Sequence, residues 1–161
     1  MMGLFFAEVE EGRHWALGHY DFTRDNVLAF ARAYDPQSFH VDDVAAAASH
    51  FGRLAASGWH TAAAWMRCFV ETSGRLRDER LARGERLPAL GPSPGFSKLR
   101  WIKPVYPGDR IAYSTEVTGK REIASRPHWG LVSQHNEGIN QNGELVFSFE
   151  GKVMVERYSE R

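Results

Sequence analysis

Asp35 and His40, in the run Tyr34-Asp35-Pro36-Gln37-Ser38-Phe39-His40-Val41-Asp42, are the residues best suited to chemistry. A carboxylate and an imidazole differ in reference pKa, so one can carry a proton while the other lacks it at a single pH. Pro36 fixes its own φ and disfavours helix at the residue before it. A helix running into Asp35 is therefore predicted to stop there. Asp35 and His40 would then lie on a short irregular segment, where both side chains can converge on one water. That pairing suits general acid–base catalysis. The segment alone leaves a plainer reading open, since Asp-Pro after a helix is also an ordinary turn and His40 also reads as a solvated side chain.

Other reactive groups are sparse. Cys68 is the one cysteine, which excludes an internal disulfide and a cysteine-based metal site. Its apolar surroundings, Trp65-Met66-Arg67-Cys68-Phe69-Val70, predict a buried, inert thiol. His14, His19, His50, His128 and His135 show no ligand spacing with acids or with Cys68, so no metal is predicted. Lys plus Arg and Asp plus Glu both number 20, for zero formal charge. Nothing in that balance favours nucleic acid or a membrane surface. The apolar start, residues 1–7, is short, lacks a basic flank and runs at once into Glu8, Glu10 and Glu11. It reads as neither a signal peptide nor a membrane span, and a cytoplasmic protein is expected.

The elements that must position Asp35 and His40 fall into two halves. With 161 residues, 43% of them hydrophobic, the chain can form one domain over 1–161 with a sizeable core. Residues 21–90 are rich in Ala, Arg and Leu; residues 91–158 are rich in Val, Ile, aromatics and turn formers. A helical half before a strand-rich half predicts an α+β fold. A first strand is read at 14–20, and a helix at 24–34 with Thr23 as N-cap. A short alanine-rich helix follows at 42–49, capped by Asp42 or Asp43. Ser57 can cap a longer helix from Trp59 to about Ser73, apolar nearly all round, which later strands should wrap. The arginine-rich stretch 76–87 reads as a solvated helix with local ion pairs, or alternatively as a phosphate contact. Strands are predicted at 96–103, 110–120, 129–140 and 144–158, with a hairpin at Asn142-Gly143 and a bulge at Gly151. The expected outcome is an antiparallel sheet curled around one long helix.

That order, with four segments, resembles the hot-dog fold and, within it, the MaoC-like dehydratase and (R)-specific enoyl-CoA hydratase family. The likeness runs from about Phe22 to Val155. Phe30-Ala31-Arg32-Ala33-Tyr34-Asp35 with Phe39-His40-Val41-Asp42 is similar to the family's hydratase motif. Ala56-Ser57-Gly58-Trp59-His60-Thr61-Ala62 is similar to the start of its central helix. Pro104-Val105-Tyr106-Pro107-Gly108-Asp109 and Asn140-Gln141-Asn142-Gly143-Glu144 are similar to its strand-turn signature and late hairpin. Many members carry Asn-Pro between the Asp and the His. Here Pro36-Gln37-Ser38-Phe39 fills that interval, and Gln37 can stand in for the Asn.

The resemblance implies reversible syn hydration of a trans-2-enoyl thioester, most often on coenzyme A. Asp35 and His40 would activate one water, and the Gly58 N–H at the start of the central helix would hold the thioester oxygen. Ser57, Trp59, His60 and Phe39 are the candidate substrate contacts, with His60 alternatively a helix-surface residue. The acyl chain would run past Trp59, Ala62, Ala63 and Met66, and the bulk of Trp59 and Trp65 favours a short or medium chain. No cofactor is implied beyond coenzyme A as part of the substrate. Lys98, Arg100 and Arg126 are candidates for its phosphates. A homodimer or higher homo-oligomer is implied. Two other readings stay open: a non-catalytic acyl-thioester-binding or partner subunit, and a thioesterase. Thioesterases of this fold often place a carboxylate on the central helix, where this chain has Ala62 to Ala64 and, later, Glu71.

Overall fold

The computed structural model describes residues 2–158. Five strands form one antiparallel sheet in the order β1-β3-β4-β5-β2. They are β1 (His14–Asp21), β2 (Gly95–Trp101), β3 (Arg110–Glu122), β4 (Trp129–Ile139) and β5 (Leu145–Glu156). Helices α1 (Arg24–Tyr34), α2 (Ser38–Val41), α3 (Asp43–Ala47) and α4 (Gly58–Ala82) lie between β1 and β2. The expected α+β order, with one long helix against a curled sheet, is borne out.

Local chemistry accounts for the boundaries. The Asn26 N–H donates to Thr23 Oγ1 at 3.2 Å, which opens α1. The helix closes where expected: Asp35 is its C-cap, out of helical conformation at φ −149° and ψ 68°, immediately before Pro36. Asp42, not Asp43, caps α3, accepting from the Ala45 N–H at 2.7 Å. At the β4–β5 hairpin Asn140 Oδ1 accepts from the N–H groups of Asn142 and Glu144, both at 3.0 Å. Gly143 supplies the left-handed residue at φ 77°.

Five expectations are corrected. The segment between Asp35 and Asp42 is not irregular, because Ser38–Val41 forms one helical turn. Helix α4 does not end near Ser73 but runs 25 residues to Ala82 and absorbs most of the arginine-rich stretch. Nothing there breaks a helix, and Arg75–Glu79 bridges one turn to the next. Arg80 is not solvated: its guanidinium is mostly covered and binds Glu8 and Glu85. Gly151 pairs in regular register with Gln134 and Phe96, so it is not a bulge. A Cβ there would lie 3.1 Å from Asn136 Nδ2 and 3.3 Å from Phe149, so crowding explains the glycine. The sheet's irregularities fall elsewhere, between Ala16 and Gly18, Val117 and Gly119, Gly138 and Ile139, and Ser97 and Arg100.

The last correction concerns α4's surroundings. Thr61, Ala64, Trp65, Cys68 and Thr72 form one buried stripe against the sheet, with Val117, Ile111, Tyr113 and Phe147 opposite. The other face is not wrapped in this chain: Trp59 is 51% exposed, Met66 51% and Val70 58%. Exposed one-turn ion pairs contribute only about 0.3–0.5 kcal/mol each. Burial of the stripe therefore does more to hold α4. Tyr113 also pins its first turn, donating from its hydroxyl to the Thr61 carbonyl at 2.9 Å. Cys68 is buried as expected, and that burial pushes its thiol pKa up.

Candidate active site

Asp35 and His40 come together. Asp35 arrives from the end of α1 and His40 from the single turn α2, with Asp35 Oδ2 3.5 Å from His40 Nε2. The side chains are 17% and 6% exposed. His40 Nδ1 lies 2.7 Å from the Ala55 carbonyl oxygen. A carbonyl only accepts, so Nδ1 carries the proton and donates. In the neutral ring, Nε2 then presents its lone pair on Asp35's side. At 3.5 Å the two groups make at best a weak direct bond. Both line the same cleft, so a third partner can contact both.

The carboxylate is held by two donors. Gln37 Nε2 donates to Oδ1 at 2.8 Å, and Ser57 Oγ donates to Oδ2 at 2.7 Å. Burial pushes the Asp35 pKa up, but the Ser57 and Gln37 hydrogen bonds and nearby His40 outweigh it and hold the group below its ordinary value. Asp35 is therefore a carboxylate near neutral pH. Gln37 occupies the interval where many family members carry Asn, and its amide contacts Asp35 directly.

Ser57 is fully buried, and its hydroxyl is committed on both sides. While donating to Asp35 it accepts from the Trp59 N–H at 3.2 Å as the N-cap of α4. It reads as a residue that positions Asp35 rather than as a direct substrate contact. Gly58 is the first residue of α4 and lines the same cleft as Asp35 and His40. Its N–H makes no hydrogen bond with the described residues. A helix's first N–H groups carry partial positive charge and suit an anionic oxygen. A Cβ on residue 58 would lie 2.6 Å from the Trp101 indole, so only glycine permits that packing.

Phe39 and Trp59 also line the cleft, whose cavity measures about 420 Å³. Phe39 packs edge-on against His40, centroids 4.6 Å apart. His60 is placed elsewhere, and it is not a helix-surface residue either. It is 4% exposed, stacked on Phe30 at 4.6 Å, with Nε2 3.3 Å from the Tyr20 hydroxyl. Burial pushes its pKa down to about 4, so the ring is neutral at physiological pH. Ala63 is exposed and lies off the apolar side of α4 that Ala62 and Met66 help to line. Lys98, Arg100 and Arg126 do not line the cleft; Lys98 pairs with Glu150 at 2.6 Å. Lys103 does line it, paired with Glu144. Sequence reasoning missed Trp101, Phe51 and Thr61 on the cleft wall. Trp101 stands at the end of β2 just before the turn at Pro104, where a tryptophan reads as strand residue and nothing signals its contact with Gly58. Among the described residues no group of three His, Cys, Asp or Glu side chains gathers as a metal site.

Comparison with known proteins decides the family. Residues 10–137 match the family described as the MaoC like domain. The chain belongs to the MaoC-like family. A MaoC-like dehydratase from Rhodospirillum rubrum is 34% identical in its solved structure, with a TM-score of 0.81 and coverage of 98% of this chain and 100% of that one. An uncharacterized protein of Bacillus subtilis, YdeM, is 30% identical over 135 residues, 84% of this chain and 86% of its own length. A mesaconyl-CoA hydratase from Cereibacter sphaeroides is 38% identical over 63 residues, which are 39% of this chain and 18% of that protein. The fold of this MaoC-like protein is accordingly the hot-dog fold. No described helix is long and apolar enough to cross a membrane.

Proposed function

We propose that this MaoC-like protein is a hydro-lyase that adds water reversibly to a trans-2-enoyl thioester, carried by coenzyme A. The observation that carries the reading is the Asp35–His40 pair, 3.5 Å apart in a cleft that also contains the Gly58 N–H. The relationship to a mesaconyl-CoA hydratase supports a coenzyme A thioester as the substrate class.

The chemistry then follows. C3 of an enoyl thioester is a poor electrophile until charge can move onto the carbonyl oxygen. The Gly58 N–H receives that oxygen, and one such donor at a well-formed site is worth about 3 kcal/mol. Asp35, ionised, takes a proton from a water that His40 Nε2 also holds. The water oxygen bonds to C3, the C2–C3 π electrons move to the thioester oxygen, and an enolate forms. The enolate collapses as C2 takes a proton from the Asp35–His40 pair. One water has then supplied both the hydroxyl and the hydrogen on one face of the double bond. No cofactor is required beyond coenzyme A in the substrate. We infer a cytoplasmic enzyme acting as a homodimer, which would also cover part of the exposed apolar face of α4.

Pure protein mixed with crotonyl-CoA is expected to consume the enone absorbance without releasing free thiol. Thiol release would instead identify a thioesterase. That alternative has little support, because Glu71 is exposed, pairs with Arg67 at 2.8 Å and is outside the cleft. With neither signal, the non-catalytic binding reading would stand.

Ser57→Ala gives a pH test of the same site. Losing the hydroxyl removes the leading hydrogen bond that lowers the Asp35 pKa. The acid limb of kcat/KM should therefore move to higher pH, because Asp35 would protonate sooner. The lost N-cap should cost about 1 kcal/mol of stability. An acid limb that stays in place would mean that Asp35 is not the group that must be ionised.

A further inference from the structure

Three elements meet at the buried ring of His60. Tyr20 and Phe22 come from the end of β1 and just beyond it, Phe30 from α1, and His60 itself from the first turn of α4. Phe30 lies flat on the imidazole, with centroids 4.6 Å apart and planes within 4°. Phe22 meets the ring edge-on at 4.8 Å, and Nε2 lies 3.3 Å from the Tyr20 hydroxyl. Nδ1 is buried and has no hydrogen-bond partner among the described residues. A buried polar atom left unpaired costs stability, so its presence calls for a reason. The imidazole offers in one side chain a flat face for Phe30 and a polar tip for Tyr20, which ties the stack to the sheet.

Both members of the stack are rigidly joined to groups of the site. Phe30 lies on the helix that ends in Asp35, whose N–H donates to the Ala31 carbonyl at 2.8 Å, so the carboxylate moves with α1. His60 stands two residues after Gly58, and its N–H donates to the Ser57 carbonyl at 3.0 Å, so it moves with the start of α4. Val27 and Ala31 bury α1 in the core, but apolar burial is non-directional. The directional contacts are the 2.7 Å bond from Ser57 to Asp35 and the flat Phe30–His60 stack. We propose that His60 is a positioning residue: stacked on Phe30, it holds the end of α1 against the first turn of α4 and so sets the Asp35 carboxylate relative to the Ser57 hydroxyl and the Gly58 N–H. His60 does not line the cleft, so it acts only through the groups it places. The effect on turnover rests on the hydratase reading; the effect on Asp35 does not.

The test measures kcat and KM for crotonyl-CoA and follows the titration of the Asp35 carboxyl carbon by NMR. His60→Ala should lower kcat at least about tenfold, since a misplacement of about 1 Å can cost about a hundredfold, and should leave KM nearly unchanged. It should also make Asp35 titrate at higher pH than in the wild type, because a loosened Ser57 bond no longer holds the carboxyl pKa down. His60→Phe, which keeps the flat face, should restore most of both. Phe30→Ala removes the stack from its half-buried side and keeps the test decisive if His60→Ala does not fold. It should act in the same direction, and the double variant should be little worse than either single one. An Asp35 titration or a kcat left at the wild-type value in these folded variants, whatever their melting temperatures, makes the ring ordinary core and overturns the proposal. A His60→Phe variant as impaired as His60→Ala overturns it too. A wild-type protein that does not turn over crotonyl-CoA sinks the hydratase reading by itself, and the Asp35 titration then decides alone whether His60 places the carboxylate.

Discussion

Asp35→Asn is expected to lower crotonyl-CoA turnover at least about a hundredfold, the smallest loss consistent with removal of a general base. The substitution is nearly isosteric: the amide oxygen can still accept from Gln37, and the Ser57 hydroxyl can turn to accept from the amide nitrogen. What it removes is the ability to take a proton from water. Asp35 does not itself hold the thioester oxygen, so KM should move far less than kcat. Stability at neutral pH should change only modestly, and the sign of its pH dependence is set. A carboxylate with a depressed folded pKa contributes stability above its unfolded value, near 3.9, and loses it as pH falls through the lower folded value. The variant should therefore lose less stability on acidification than the wild type. Steady-state kinetics and thermal melts from pH 7 downward check both statements, and near-normal turnover would remove Asp35 from the mechanism.

The parts of this site that were legible in the sequence are those fixed by local covalent constraint. Pro36 dictated where α1 ends, so Asp35 falls at its C-cap as expected. Ser57 is the N-cap of α4, and Gly58 follows it at the helix start. The Asn142-Gly143 turn placed the last hairpin. What failed depended on partners distant in the chain. Arg80 looked solvated because its acceptor Glu8 lies 72 positions away. His60 looked like a neighbour of the oxyanion site. Its position within the first turn of α4 instead rotates it onto Tyr20 of β1 and Phe30 of α1. Gly151 read as a bulge because an isolated strand glycine usually marks one, whereas the cause is crowding by Asn136. Trp101 carried no signal at all, since its contact with Gly58 joins residues 43 positions apart that no local pattern relates. The end of α4 was set too early for a different reason. Beyond Ser73 the apolar pattern thins, but Leu76 still packs against the core and Arg80 pairs with Glu8, which keeps the helix on the protein.

His40→Ala is the companion expectation, again a loss of at least about a hundredfold in turnover, but with a different signature. The imidazole is fixed by its Nδ1 donation to the Ala55 carbonyl, so only Nε2 can serve the water. Deleting the ring leaves that buried carbonyl without its donor, at a cost of about 1–3 kcal/mol, so this variant should melt lower than Asp35→Asn. Stability loss alone would not explain the kinetics if the remaining folded protein is counted by active-site-independent means such as circular dichroism. The decisive measurement is the double variant. Two groups gripping one water form a unit, and removing either should forfeit nearly all of what the pair provides. Asp35→Asn with His40→Ala should therefore be only slightly slower than the worse single variant, rather than slower by the product of the two losses. A multiplicative result would mean that Asp35 and His40 act on separate steps or separate molecules, and the 3.5 Å approach of Oδ2 to Nε2 would then be packing rather than mechanism.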